Sequence, residues 1–179
     1  MSIEIDPYAD RSLALWPSLS GKTFLAKRLL KKVPRVVIFS PHTMEWQQYP
    51  NRIFGWNDKQ LFETAQRCIR QGNLLLAIDD ADIPMDRFAN DDRLRYLLAG
   101  SRHRNVGWLC IARRASSIPP LFFENANQLF LFNTQYPNDL KLYRQSYGVD
   151  QDVRALRKTE HGCVYLNADT MDKQLVVAQ

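Results

Sequence analysis

The residues Ser20-Gly21-Lys22-Thr23 have the types and the order that a phosphate-binding loop requires. They follow the apolar run Leu13–Trp16 and precede a helical pattern over Phe24–Leu30, so strand, loop and helix come in the expected order. In such a loop the backbone N–H groups surround phosphate oxygens, the Lys22 ammonium reaches the β- and γ-phosphates, and the Thr23 hydroxyl ligates Mg²⁺. The stretch therefore predicts a site for a nucleoside triphosphate with Mg²⁺.

Two residues near the start of this loop depart from the usual pattern. Trp16 stands where the full motif has a glycine, which lacks a Cβ and turns easily into the loop. Pro17 has no backbone N–H to donate, although the donors that matter most run from Leu19 to Thr23. The short motif by itself leaves a second interpretation open, which is a glycine turn followed by an ordinary helix.

A second stretch that could do chemistry is the apolar run Asn73–Ile78, which ends in Asp79 and Asp80. A buried parallel strand delivers its C-terminal residues to the sheet edge where ligands bind. There Asp79 would hold Mg²⁺, directly or through water, and Asp80 would orient or deprotonate the attacking water. The alternative is a core strand followed by an acidic turn, but the combination with a Gly-Lys-Thr loop favours the nucleotide site.

A basic segment, Gly100–Asn105, lies directly before the apolar strand pattern Val106–Ala112. Arg102 or Arg104 could reach the γ-phosphate bound by a neighbouring subunit and stabilise the charge that develops there. The same arginines could instead bond carbonyls at the C-terminal end of a helix, and the sequence leaves both interpretations open. Polar residues directly after the strand, beginning with Arg113, would lie where a sensor reads the γ-phosphate.

Strands that alternate with helices must position these residues, and the alternation predicts an α/β fold with a mainly parallel sheet. The aromatic residues in the loop after the second strand, Trp46, Tyr49 and Trp56, could contact bases or a neighbouring subunit, but packing over the sheet is the commoner use of such residues. The predicted strands beyond the first are Arg35–Phe39, Arg52–Phe54, Asn73–Asp80, Val106–Ala112, Gln128–Phe132 and, last in the chain, Gly162–Leu166. The predicted helices are one capped by Asn57 and ending at Gln71, then Asp91–Ala99, one beginning at Leu121, Tyr136–Tyr147 and Asp150–Arg157, with Pro84–Asn90 as a loop.

Composition limits the class of protein. The 179 residues suit one α/β domain, with residues 1–10 as an arm, and no run approaches the roughly 18 apolar residues of a membrane span. The N-terminus lacks the features of a secretory signal, and three widely spaced cysteines argue against a disulfide framework, so a cytoplasmic protein is expected. The formal charge of +5 favours a polyanionic partner if the basic residues share one face. Two basic clusters are present, Lys27, Arg28, Lys31, Lys32 and Arg35 early in the chain and Arg154, Arg157 and Lys158 late.

The order of these motifs resembles the FtsK/HerA-type branch of P-loop ATPases, in particular the small viral genome-packaging ATPases. The features that carry the resemblance are Ser20–Thr23, Leu75–Asp80, Ser101–Arg104 and Ala112–Pro119. Three positions differ from the family pattern. Trp16 replaces the first loop glycine, Asp80 stands where glutamate is usual, and Arg113 aligns with a polar glutamine.

The resemblance implies a three-layer sandwich with a RecA-like core that binds ATP and Mg²⁺. It also implies a homo-oligomeric ring, commonly a hexamer, which moves double-stranded DNA without sequence preference toward capsid or portal vertex proteins. In this family an arginine acts across the subunit interface, so Arg102 is the first candidate and Arg104 the second. Such a protein would work in the host cytoplasm and could stay with the virion. The alternatives are a phage-assembly ATPase of the zonula-occludens-toxin type, a degenerate nucleotide-binding adaptor and a small-molecule kinase.

Overall fold

The computed structural model describes residues 5–15, 22–85, 92–156 and 162–176. Within these ranges the eight strands form one sheet with the order β3-β2-β4-β5-β1-β6-β7-β8. The strands are β1 (Arg11–Leu15), β2 (Val36–Ser40), β3 (Arg52–Phe54), β4 (Leu74–Ile78), β5 (Val106–Ala112), β6 (Gln128–Phe132), β7 (Cys163–Asn167) and β8 (Lys173–Val176). The helices are α1 (Lys22–Leu30), α2 (Asp58–Gln71), α3 (Asp82–Met85), α4 (Asp92–His103), α5 (Pro120–Asn125), α6 (Pro137–Tyr147) and α7 (Asp150–Ala155).

The strands β1 to β6 run parallel to one another, and the hairpin β7–β8 adds two antiparallel strands at one side. The predicted α/β fold with a mainly parallel sheet is therefore confirmed. Parallel strands place all their C-terminal ends on the same side, which we call the carboxyl edge, and all their N-terminal ends on the other, which we call the amino edge.

The sheet has an apolar core on each face, because both faces of its central strands are covered by helices. On one face Leu13 and Leu15 of β1 pack in a cluster with α2 and α4. On the other face Ala14 packs in a cluster with Leu25 and Leu29 of α1. These layers fix the start of α1 beside the end of β1, which is the arrangement that the phosphate-loop interpretation needs.

Two residues predicted the ends of α2 correctly. Asn57 caps α2, since its side chain accepts a hydrogen bond from the Gln60 N–H at 2.9 Å. Gly72 ends the helix with φ of +64°, a left-handed value that glycine adopts without strain.

Residues 5–10, expected as an arm, lie along β5, where the Gly107 N–H donates to the Pro7 carbonyl at 3.0 Å.

Other elements differ from the prediction. The strand at Cys163–Asn167 is not the last, because the short and largely exposed β8 follows it without an apolar pattern that would mark it. The helix α4 continues through the basic segment to His103, because Gly100 lets it approach Ile69 of α2. Residues 82–85 form a short helix, and this helix includes Pro84, the first residue of the predicted loop Pro84–Asn90. Predictions that fall on residues 16–21, 86–91 and 157–161 lie outside the described residues.

Candidate functional site

The start of α1 lies at the carboxyl edge of the sheet. β1 ends at Leu15, and α1 begins at Lys22, so the intervening predicted loop, including Leu19, Ser20 and Gly21, lies outside the described residues. Thr23 is partly exposed in the first turn of the helix. Its hydroxyl donates a hydrogen bond to Oε2 of Glu45 at 3.1 Å, and Glu45 belongs to the segment that follows β2.

Asp79 is buried directly after β4, with 2% of its surface exposed. Its Oδ2 accepts two hydrogen bonds of 2.9 Å, from the Ser40 hydroxyl and from Nε1 of Trp46. Ser40 is the last residue of β2, and Trp46 lies in the segment that follows this strand. β2 is the neighbour of β4 in the sheet. Two donors on one oxygen fix the orientation of the carboxylate, which is what a metal-binding carboxylate requires.

Asp80 turns the chain away from the strand. Its φ is +45°, in the left-handed region that aspartate tolerates better than most residues. The carboxylate is largely buried, and its Oδ2 lies 3.5 Å from Nε2 of His42. The His42 N–H in turn donates to the Ser40 hydroxyl at 2.9 Å, so Asp80 and Asp79 contact the same segment after β2.

The segment Ser40–Trp46 therefore joins Thr23 to the two aspartates, and we call it the bridging segment. Sequence reasoning favoured packing over the sheet for the aromatic residues of this loop, although Trp56 is 62% exposed, and it did not single out Glu45. Trp46 is fully buried as expected, but its indole N–H also holds Asp79. The position of Ser40 could have predicted a role for this segment in the site, because a polar residue that ends a parallel strand lies at the ligand-binding edge.

The oxygen atoms collected here suit Mg²⁺ with a nucleotide. Hydroxyl and carboxylate oxygens are the ligands that Mg²⁺ prefers, and in phosphoryl-transfer sites the protein supplies few of them while phosphates supply others. No group of three or more His, Cys, Asp or Glu residues in the described part of the chain is arranged to hold a metal ion. Thr23 and Asp79 would be the ligands from this chain.

Arg113 also lies at the carboxyl edge, one residue beyond β5. Its Nε donates to Oδ2 of Asp82 at 2.9 Å, and its backbone N–H lies 3.3 Å from the other oxygen of that carboxylate. The next residue, Arg114, lies over the ring of Tyr136 with 4.2 Å between Cζ and the ring centroid. The predicted sensor residue, Arg113, thus lies at the end of β5, which is the neighbour of β1 in the sheet. Its guanidinium is bound by the Asp82 carboxylate of α3.

Arg102 and Arg104 lie at the opposite, amino edge, before β5. Arg104 bonds the end of α2, since Nε donates to the Ile69 carbonyl at 3.2 Å and Nη2 to the Arg70 carbonyl at 3.0 Å. This contact is the helix-end interaction that the sequence left open. Arg102 is exposed at the last turn of α4. Both arginines therefore lie at the sheet edge opposite the one at which α1 begins.

The remaining sequence expectations concern the thiols, the basic clusters and the membrane. All three cysteines are free and buried, and burial raises the pKa of Cys68 and of Cys163 to about 12. In the early basic cluster the Lys27 ammonium lies 5.8 Å from the centroid of the Trp46 ring, so α1 also contacts the bridging segment. None of the helices that the structure describes is long and apolar enough to cross a bilayer.

No protein-family model matches the chain, and neither does any curated sequence. Solved structures do match. The genome packaging NTPase B204 from Sulfolobus turreted icosahedral virus 2, in complex with ATP-gammaS, has a TM-score of 0.79 at 17% identity, over 96% of this chain and 98% of that one.

Two further structures share the fold at greater distance. The N-terminal domain of zonular occludens toxin from Neisseria meningitidis has a TM-score of 0.57 at 9% identity, over 96% of this chain and 94% of that one. The type VII secretion ATPase EccC from Thermomonospora curvata has a TM-score of 0.59 at 12% identity, over 97% of this chain and 24% of that one. The resemblance predicted from the motifs is confirmed at the level of the fold, which is that of P-loop ATPases and similar over nearly the whole chain to a viral genome-packaging NTPase.

Proposed function

We propose that this protein is an ATPase that couples ATP hydrolysis to the movement of double-stranded DNA into a viral capsid. The observation that carries the proposal is the contact between the start of α1 and the acid pair through the bridging segment, within a fold similar to that of the packaging NTPase B204. Phosphate-loop threonine and strand-end aspartate meet at one sheet edge in an enzyme that binds a nucleoside triphosphate.

Each residue at the carboxyl edge has a role in this proposal. Leu19 to Thr23 bind the phosphates through backbone N–H groups, and Lys22 neutralises their charge. Thr23 and Asp79 hold Mg²⁺, which when bound supplies positive charge to the phosphate oxygens. Asp80 accepts the proton of the attacking water, and Arg113 contacts the γ-phosphate from the end of β5.

The site is completed by a neighbouring subunit. Arg102 is exposed at the amino edge, opposite the edge at which α1 begins, which is compatible with a role in the next subunit of a ring. Arg104 is the second candidate, but it would have to leave the carbonyls at the end of α2. A guanidinium from a second subunit adds charge stabilisation that the isolated chain lacks, so hydrolysis should depend on assembly, in a hexamer or another ring.

The DNA contacts are electrostatic in this proposal. Exposed basic residues on and after α1, among them Arg28, Lys31 and Lys32, would meet backbone phosphates. Binding should then lack sequence preference and weaken steeply with salt, because neutralised phosphates release counterions. Capsid or portal vertex proteins would be the partners in the host cytoplasm, with the enzyme in some cases retained in the virion.

The proposal is tested by ATP hydrolysis of the Lys22→Ala variant with and without duplex DNA. Lys141→Ala, which removes an exposed lysine from α6, is the matched control. We expect turnover of the parent and of Lys141→Ala to rise with duplex DNA, and that of Lys22→Ala to fall to background. Equal turnover of Lys22→Ala and the parent would exclude the proposed site.

The second candidate is a phage-assembly ATPase of the zonula-occludens-toxin type, which the match to the toxin's N-terminal domain favours. Such an enzyme would hydrolyse ATP through the same residues. Hydrolysis that requires Lys22 and is unchanged by duplex DNA of any length would favour it over a DNA-packaging enzyme.

A further inference from the structure

We propose that Glu45 is a positioning residue for Mg²⁺, which it serves by accepting the proton of the Thr23 hydroxyl. The inference rests on the proposed function and assigns a role to a residue outside the two motifs of the nucleotide site. Its basis is the hydrogen bond of 3.1 Å between Thr23 Oγ1 and Glu45 Oε2.

The chemistry of the two groups fixes the direction of this bond. A carboxylate only accepts hydrogen bonds, whereas a hydroxyl has one proton and two lone pairs. Thr23 therefore donates its proton to Glu45, and its lone pairs face elsewhere. A threonine that ligates Mg²⁺ through a lone pair keeps its proton, and that proton still needs an acceptor. Glu45 supplies the acceptor before and after the metal binds.

The bridging segment holds Glu45 where this contact is made. The Glu45 N–H donates to the His42 carbonyl at 3.1 Å, and the next residue, Trp46, is fully buried with its indole N–H on Asp79. From the other side, α1 contacts the same segment, since Lys27 lies over the Trp46 ring. The separation of Thr23 and Glu45 is thus set by packing of the elements that carry them.

The same arrangement adds negative charge near the metal without adding a ligand. Residues that hydrogen-bond to metal ligands orient them, and their loss typically costs about 10- to 100-fold in metal affinity. Because Glu45 is exposed, its replacement should leave folding intact.

The experiment measures Mn²⁺ binding by electron paramagnetic resonance in the presence of AMPPCP, a nucleotide that is not hydrolysed at its terminal bridge. The variants are Glu45→Ala, which removes the acceptor oxygens together with the charge, and Glu63→Ala, which makes the same change at an exposed position of α2. We expect about a 10- to 100-fold loss of Mn²⁺ affinity for Glu45→Ala. Glu63→Ala should match the parent, and AMPPCP affinity in EDTA should be the same for all three proteins.

A double-mutant cycle with Thr23→Val separates positioning from a general charge effect. If Glu45 acts through the Thr23 hydroxyl, Glu45→Ala causes little further loss once that hydroxyl is gone. Unchanged Mn²⁺ affinity in Glu45→Ala, or a loss of the same size in both backgrounds, would overturn the inference alone. Failure of the parent to take up Mn²⁺ with AMPPCP would overturn the proposed function as well.

Discussion

Trp46→Phe removes one hydrogen bond from the centre of the candidate site. The indole N–H donates to Oδ2 of Asp79 at 2.9 Å, and the Trp46 side chain is fully buried. A hydrogen bond to a charged group contributes about 1.5–3 kcal/mol, and the substitution also removes part of a ring from a packed core. Both changes lower the free energy of unfolding, so the variant alone cannot separate them.

Trp108→Phe supplies the matched control. Trp108 is 4% exposed in β5 and packs edge-on against Phe122 with 5.1 Å between ring centroids. Its Nε1 is buried and finds no hydrogen-bond partner among the described residues. The control therefore removes the same atoms from a core but breaks no hydrogen bond. The excess destabilisation of Trp46→Phe over Trp108→Phe should be about 1.5–3 kcal/mol.

Guanidinium-induced unfolding followed by far-ultraviolet circular dichroism measures this difference, since that signal does not depend on the tryptophans that are replaced. Performing both substitutions again in the Asp79→Asn background tests the assignment, because the excess should shrink when the carboxylate is absent. Equal losses for Trp46→Phe and Trp108→Phe in the parent would show that the bond to Asp79 stabilises nothing.

Two further predictions concern the amino edge. Arg104→Ala should lower the free energy of unfolding by about 1–3 kcal/mol, because it removes two hydrogen bonds from the end of α2, whereas the exposed Arg102→Ala should change stability little and abolish hydrolysis. Denaturant titrations and ATPase assays of both variants check this, and equal stability of the two would contradict it. Burial raises the pKa of Asp10 above its ordinary 3.8, so the native state binds this proton more tightly than the unfolded chain. The resulting stabilisation is complete below pH 3.8 and disappears as pH rises through the native pKa. The unfolding free energy of the parent minus that of Asp10→Asn should therefore fall with rising pH in this range, and a flat or rising difference would refute the assignment.

The sequence could predict the parts of the site that depend on strand direction. An apolar run that ends in Asp79 and Asp80 indicates a buried strand and the edge at which it ends. Because parallel strands share that edge, the meeting of this run with the helix after Lys22 followed from the order of elements. The structure places both at the carboxyl edge, linked by the bridging segment.

The contacts of the bridging segment could not be predicted in the same way. Periodicity identifies Trp46 as a residue to bury, but not the atom that its indole N–H reaches. Glu45 is an exposed carboxylate in a short turn, and nothing in its neighbours distinguishes it from a solvated charge. The assignment of Arg104 to the end of α2 likewise depended on how closely α2 and α4 approach, which Gly100 permits.

The same limit explains the differences in the fold. β8 is short and exposed, with Lys173 and Gln174 paired to β7, so it lacks the apolar pattern by which strands are recognised. Gly100 was interpreted as the end of a helix, because glycine has low helix propensity. In the structure its missing side chain is used for packing against Ile69, and tertiary contact outweighs local preference.

The position of β1 in the sheet has a consequence for how the protein is made. This strand leaves the ribosome well before its two partners, β5 and β6, which begin at Val106 and Gln128. Non-local pairing of this kind forms slowly, and an unpaired apolar strand is prone to aggregate during synthesis. The neighbours of β1 in the sheet are thus in place only after β6 has been translated. Truncated nascent chains should consequently lack nucleotide binding until β6 has emerged.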